Sequence, residues 1–220
     1  MTIASFSGLA SAVPVWMGRD GDAIVPAQIN DIVTLAETGI IYGLDEPFQA
    51  PPVRLRFMET VNPAFAISSE YTALPAGFLE ARELVLGTSP KATLLMRSPQ
   101  DIDEMWAGSQ TGQSEVFAIQ GNQLRVAPAP SGSFTAAFTY WSLARLDNTV
   151  PSSTNNLLTN APNVYLHAAC MYGFLMLGDL DAAKAQFALY RAAVGGVQKS
   201  DDAGKWSGAA PAMRVMGPTP

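Results

Sequence analysis

The chain has 220 residues, of which 48% are hydrophobic and 15% charged, enough to bury a sizeable core in one domain with or without an appendage. A formal charge of −6 without any run of basic residues argues against tight, sequence-independent binding to nucleic acid. We expect no transmembrane helix, because no run of about eighteen apolar residues occurs. The single cysteine, Cys170, excludes an intrachain disulfide and fits a reducing cytoplasm.

Two helices are predicted near the N-terminus. Apolar residues spaced three and four apart place the first at Ser5–Met17, although Pro14 inside it would cost about 3 kcal/mol in a regular helix. The second covers Ala27–Leu44, and Gly43 suits its end. Between them, Arg19–Asp22 is predicted to be a solvated turn, because it lacks the remaining oxygen ligands and the closing glutamate of a calcium loop.

A small antiparallel sheet is predicted from about Val53 to Leu143. Alternation of apolar and polar residues indicates a strand at Val53–Met58, and Phe65–Tyr71 is its predicted partner. Further strands are expected at Glu83–Leu86 and at Thr93–Met96.

The second half of this sheet is predicted to be a three-stranded meander. Its strands are Val116–Ile119, Leu124–Val126 and Phe134–Trp141, and a two-residue hairpin turn at Gly121–Asn122 joins the first two. Alternate aromatic side chains of the third strand share one face. We interpret them as core rather than as a platform for nucleic-acid bases, because basic neighbours are scarce. These side chains are Phe134, Phe138 and Tyr140.

A short helix is expected before the meander. It begins with Ser98-Pro99-Gln100-Asp101, which is typical of a capping box with proline at the first helical position. Three acidic side chains lie near its start, namely Asp101, Asp103 and Glu104. Because carboxylates are favourable at the positive end of a helix dipole, this position explains them without a pair for acid–base catalysis.

The segment Asn155–Lys199 predicts two helices folded against each other. Pro162 suits the first turn of one helix, and Gly178 ends it in the left-handed conformation. The connection is short, so we expect the helices to be antiparallel. The capping candidates are Thr159, Asn160 and Asp179. An apolar seam on the second helix consists of Leu180, Ala183, Phe187, Tyr190, Val194 and Val197.

His167 and Cys170 share one face of the first of these helices. A metal site would need further ligands, and a nucleophilic pair would need an exposed thiol, so we interpret His167 as a core or interface residue. The sequence contains no glycine-rich phosphate-binding motif, no HExxH and no GxSxG. It therefore predicts no catalytic, cofactor-binding or metal-binding residue and no enzyme activity.

The composition changes after Lys199, where glycine, alanine, proline and serine dominate. Such a segment cannot bury enough apolar surface to fold alone, so we expect residues 201–220 to form an extended or docking arm. Isolated large side chains in this arm have no core of their own to join, which favours contact with a partner. These candidate partner-binding residues are Trp206, Met213, Val215 and Met216.

Several stretches, in order along the chain, resemble the head–tail adaptor (connector) proteins of tailed bacteriophages and related prophage or gene-transfer particles. They are similar to that family's two N-terminal helices, a turn before a strand, a hairpin, and the two ends of the C-terminal helical region. In this sequence the stretches are Thr2–Trp16, Ile24–Gly43, Leu74–Glu80, Gln120–Pro130, Asn155–Leu166 and Lys205–Gly208.

The resemblance implies a structural virion protein without catalytic chemistry. Such adaptors form a ring, typically dodecameric, below the portal in the neck of the particle. They extend the DNA channel and provide the platform for the tail or the next connector. The implied partners are copies of the chain, the portal protein and that next component. DNA would pass through without specific binding, no membrane would be involved, and assembly would take place in the host bacterial cytoplasm.

Together the elements predict an α+β protein with a helical bundle, built on a C-terminal antiparallel helical hairpin, and a small antiparallel β-sheet domain. The expected division is 1–46 for N-terminal helices of the bundle, 47–150 for the β region with its short helix, 151–200 for the hairpin and 201–220 for the arm. Two alternatives stay open: a tail terminator or stopper, and a small hydrolase or ligand-binding protein that uses the meander as a pocket. Clustered acids with raised pKa values in one cleft would favour the hydrolase.

Overall fold

The computed structural model describes residues 3–106 and 110–206 and has the predicted mixed α+β class. In these residues the helices are α1 Phe6–Trp16, α2 Ile24–Ala27, α3 Ile29–Tyr42, α4 Pro99–Met105, α5 Asn156–Asn160, α6 Pro162–Met176 and α7 Leu180–Trp206. The strands are β1 Glu59–Ile67, β2 Tyr71–Ala73, β3 Phe78–Leu86, β4 Ala92–Met96, β5 Thr111–Gly112, β6 Val116–Gln120, β7 Gln123–Ala127, β8 Ala129–Pro130 and β9 Phe134–Ser142.

Seven strands form one sheet in the order β1-β9-β3-β4-β6-β7-β2, and β5 and β8 form a separate parallel pair. The large sheet is antiparallel except between β4 and β6, so the expectation of a wholly antiparallel sheet is wrong there. The reason is α4, a helical crossover that brings the chain back in the same direction. The sheet curls around one core to which most of its strands contribute, including Phe65, Leu84, Leu94, Phe117, Val126 and Phe138.

The predicted strand at Val53–Met58 is wrong. Val53 and Leu55 are buried in the helical core, and Arg56–Met58 forms a 3-10 turn before β1. The alternating burial arises because this segment crosses the helices: the Val53 N–H donates to the Ile40 carbonyl at 2.9 Å. An extended segment that lies on helices buries every second side chain, as a strand on a core does. The sequence pattern is therefore the same in both cases.

Two predicted strand pairings are also wrong. The segment Phe65–Tyr71 is divided between β1, which pairs with β9, and β2, which pairs with β7. The meander is correct for β6 and β7, but β9 leaves them and inserts between β1 and β3. The aromatic face of β9 nevertheless belongs to the core, as predicted, because Phe138 and Tyr140 are both buried.

The N-terminal helices pack on α6 in a second core. Ser5 caps α1 by accepting from the Gly8 N–H at 3.3 Å, and Pro14 lies inside the helix without ending it. The second predicted helix corresponds to α3, and the short helix α2 precedes it and meets it at Gln28. The helix α3 ends as predicted at Gly43, whose φ of 86° is in the region that favours glycine.

The helices α6 and α7 lie side by side, and the His167 ring Nδ1 is 3.0 Å from the Gln186 side-chain oxygen. Asp179 caps α7, as predicted, by accepting from the Ala182 N–H at 3.0 Å. Thr159 and Asn160 do not cap α6, because they lie in the short helix α5, which Asn155 caps. In the predicted seam, Ala183 and Tyr190 are buried, whereas Leu180 is exposed. Beyond the predicted end at Lys199, α7 continues to Trp206, so residues 201–206 are helical.

We predict that Phe138→Ala lowers the free energy of unfolding by about 3–5 kcal/mol, because it opens a cavity in the sheet core. The Phe138 ring is fully buried and lies 4.9–5.9 Å, between ring centres, from Phe65, Phe78 and Tyr140. Denaturant unfolding followed by circular dichroism measures the change. Thr135→Ala, on the exposed face of the same strand, is the control and should cost less than about 1 kcal/mol. Equal stability of the two variants would contradict this account.

Candidate interaction surfaces

A buried carboxylate on α3 fixes the linker that joins the sheet to the C-terminal helices. Glu37 is 2% exposed, and it accepts from the Leu146 N–H at 2.8 Å and from the Tyr165 hydroxyl at 3.0 Å. Asn155 donates to the same hydroxyl oxygen at 2.6 Å. Burial raises the pKa of Glu37, although these hydrogen bonds and the charge of Arg145 oppose the rise. This arrangement holds the linker, and it is not the paired carboxylates of a hydrolase.

Two of the three acids near the start of α4, Asp101 and Asp103, have structural partners, whereas Glu104 is exposed. Asp101 completes the predicted capping box with Ser98. Asp103 lies 2.7 Å from the guanidinium of Arg125, which also contacts Glu70 at 2.7 Å. A cleft of about 310 Å³ adjoins this cluster, and Glu70 and Asp103 both line it. Since Arg125 compensates both carboxylates, the cluster joins α4 to β7 rather than providing a free acid.

His167 and Cys170 do not form a reactive pair. The His167 ring is half-buried between Gln186 and the edge of the Trp16 ring, whose centre is 6.1 Å away. Cys170 is fully buried, and burial raises the pKa of its thiol to about 12. In the described part of the chain, no three histidine, cysteine or acidic side chains are placed to hold a metal ion. His167 therefore has the packing role that the sequence suggested.

The predicted partner-binding residues Met213, Val215 and Met216 lie outside the described residues, as does the side chain of Trp206. The point from which the arm starts is nevertheless defined. Asp201 is 8% exposed and accepts from the Arg56 N–H at 2.7 Å. Sequence reasoning missed this residue, because an aspartate in a polar stretch gives no sign of burial.

Among the described residues, large apolar side chains are exposed on both the sheet and the helices. On the sheet, Val61, Leu95 and Met96 are each more than half exposed. A cleft of about 490 Å³ lies beside Leu95 and Met96, between β3 and β4. On the helices, exposed side chains of the same kind are Trp16, Leu35 and Tyr42. Exposed apolar side chains that lie together mark contact sites, so the sheet around Leu95 and the helices around Trp16 are the candidate contact surfaces of the two halves.

The family comparison shows what kind of protein carries these surfaces. The model of the SU10 adaptor protein family matches residues 4–214, nearly the whole chain. The chain belongs to the SU10 adaptor protein family. This membership confirms the resemblance to phage adaptors and implies a structural, virion-associated protein. No curated protein matches the chain. Among the described helices of the adaptor, none is long and apolar enough to cross a membrane.

We predict that Glu37→Gln changes how the stability of the adaptor depends on pH. A carboxyl group whose pKa is raised by folding stabilises the folded state below its ordinary value of 4.5, and this stabilisation is lost as pH rises through the folded pKa. The glutamine has no such loss, so the variant should gain stability relative to the wild type as pH rises above 4.5. Denaturant unfolding between pH 4 and 8 measures this difference. A difference that stays constant with pH, or that exposed Glu104→Gln reproduces, would contradict the role of Glu37.

We predict that Asp201→Ala loosens the end of α7, because the Arg56 N–H and guanidinium lose their partner. Amide hydrogen exchange in residues 198–206 should become about tenfold faster, the effect of losing roughly one charge-assisted hydrogen bond. Lys199 lies two residues before Asp201 and its side chain is exposed, so Lys199→Ala is the control and should leave exchange unchanged. Identical exchange in Asp201→Ala and wild type would show that the contact does not hold the helix end.

Proposed function

We propose that this chain is a head–tail adaptor of a tailed phage virion. In this proposal, copies of the chain form a ring, dodecameric as in the adaptors it resembles, below the portal vertex in the neck. The ring extends the DNA channel and provides the platform for the tail or the next connector. The observation that carries the proposal is the family match over residues 4–214.

The two uncovered surfaces support assembly into a ring. A closed ring of identical subunits joined head to tail needs two different faces on each subunit. The sheet surface around Leu95 and the helical surface around Trp16 lie on different halves of the molecule, and both expose large apolar side chains. In this proposal, the helical bundle built on α6 and α7 and the sheet each contribute one of these contacts.

The charge of the chain supports a passive channel wall. The formal charge is −6, and five of the described arginines are within 4 Å of a carboxylate. The net negative charge and the lack of a run of basic residues in the sequence do not favour the phosphate contacts that retain DNA, so DNA would slide past without specific binding. The arm residues Trp206, Met213, Val215 and Met216 are proposed to contact the portal protein or a neighbouring subunit.

The proposal predicts that the purified chain binds to its portal as a ring. Electron cryomicroscopy of the two proteins mixed should show adaptor subunits, one for each portal subunit, continuing the axial channel. Binding to the end of the tail tube but not to the portal would favour the tail terminator or stopper. Failure to bind either component would reject the proposal.

The same assay tests the arm. A chain that ends at Trp206 retains every described residue, so it should fold normally and bind the portal more weakly than the full chain. Denaturant unfolding of both forms is the control for folding. Undiminished portal binding by the shorter chain would show that Met213, Val215 and Met216 do not contribute to the portal contact. It would not contradict the proposed ring.

A further inference from the structure

The sheet splits between two of its central strands. β3 pairs with β9 along its whole length, from Phe78 to Leu86, but with β4 only over Leu84–Leu86. Beyond Leu94, β4 instead pairs with β6 through Leu95 and Met96. Within the described residues, 78–83 therefore have a strand partner on one side only. An unpaired strand edge inside a sheet is a template for one more strand.

The cleft at this split is lined by both apolar and charged side chains. Phe117 lies in the core below it, whereas Leu95 and Met96 are 57% and 58% exposed on its wall. The charged lining residues are Glu59 and Arg82, which pair with each other at 2.8 Å, and Glu83, which is exposed. The cleft thus fits an extended apolar segment that carries one positive charge.

The last turns of α7 lie near the strands that border this cleft. Asp201, in the last turns of α7, lines a pocket together with Trp141 of β9. The guanidinium of Arg82 lies 5.1 Å from the centre of the Trp141 ring, and Arg82 itself lines the cleft. Trp141 and Arg82 thus connect the pocket that Asp201 lines with the split in the sheet.

The segment that follows has the required length and chemistry. Residues 207–220 span up to about 46 Å when extended, whereas the distance from β9 to β4 across β3 is about 10 Å. The segment contains one basic residue, Arg214, no acidic residue, and a run of apolar side chains around it, which are Met213, Val215 and Met216. Neighbouring residues of a strand point to opposite faces, so Met213 and Val215 would share one face and Arg214 and Met216 the other.

We propose that residues 207–220 add to the free edge of β3 in the same subunit and close the split in the sheet. Met213 and Val215 then pack towards Met96 and Phe117, while Arg214 lies on the outer face near Glu83. Backbone hydrogen bonds to residues 78–83 fix the strand, as in other cases of strand addition. The segment binds its own subunit because the short connection gives it a high effective concentration. The arm then covers the sheet surface around Leu95 on the free subunit and is displaced when that surface makes its ring contact, a step that rests on the proposed function.

Cross-linking in the full chain tests the position of the segment. Leu95→Cys with Met216→Cys introduces two thiols, and the natural Cys170 is fully buried and does not compete. A short bis-maleimide should link them within one chain, independently of protein concentration and several-fold more than in the control pair Asp20→Cys with Met216→Cys. Equal yields in the two pairs would overturn the proposal. Links that form mainly between chains would assign the cleft to a neighbouring copy and overturn it as stated.

Trypsin gives a second readout, because Arg214 is its cleavage site in the segment. Leu95→Asp should weaken docking and speed cleavage after Arg214 about tenfold, since cleavage follows the population of the released segment. Leu35→Asp on α3 is the matched control, because Leu35 and Leu95 are exposed to a similar extent, 50% and 57%. It should cleave at the wild-type rate. Equal rates in the wild type and both variants would show that the cleft does not hold the segment.

Discussion

The hydrogen bonds of one buried carboxylate determine how the two halves of the molecule meet. Glu37 lies on α3, but its donors are Leu146 in the linker after the sheet and Tyr165 on α6. A buried charge that loses its partners costs several kcal/mol, so these donors must stay in place. Arg54 also joins the two halves: its guanidinium donates to the Ile41 carbonyl on α3 at 3.1 Å and lies 3.4 Å from Glu80 on β3. Polar contacts with defined directions therefore fix the orientation that apolar packing alone leaves adjustable.

A fixed orientation matters for a protein that works by assembly. Whether copies joined head to tail close into a ring depends on the angle between the two contact faces of each copy. In this adaptor one uncovered apolar surface lies on the sheet, near Leu95, and the other on the helices, near Trp16. The Glu37 junction lies between these halves, so in the proposed ring the contacts that stabilise the subunit would also set the geometry of its contacts with neighbouring copies.

Local features of the fold were predictable from the sequence, and long-range ones were not. The caps at Ser98 and Asp179 were predicted and confirmed, because a cap depends on residues within one helical turn. The insertion of β9 between β1 and β3 was missed, because the sequence of a strand carries little information on its partner. Likewise, the burial pattern of Val53–Leu55 was mistaken for a strand, since the surface on which the segment lies is formed by distant helices.

The sequence by itself determined the α+β class, most helix ends and the adaptor resemblance, because capping, periodicity and ordered short motifs are properties of neighbouring residues. That Trp206, Met213, Val215 and Met216 contact a partner stays a prediction from the sequence. Only the tertiary structure decided that Glu37 and Asp201 are buried and that the sheet splits beside Leu95. The physical reason is separation: the hydrogen bonds of Glu37 and Asp201 join residues 109, 128 and 145 positions apart. No local pattern encodes such a contact, and it exists only once both halves have packed.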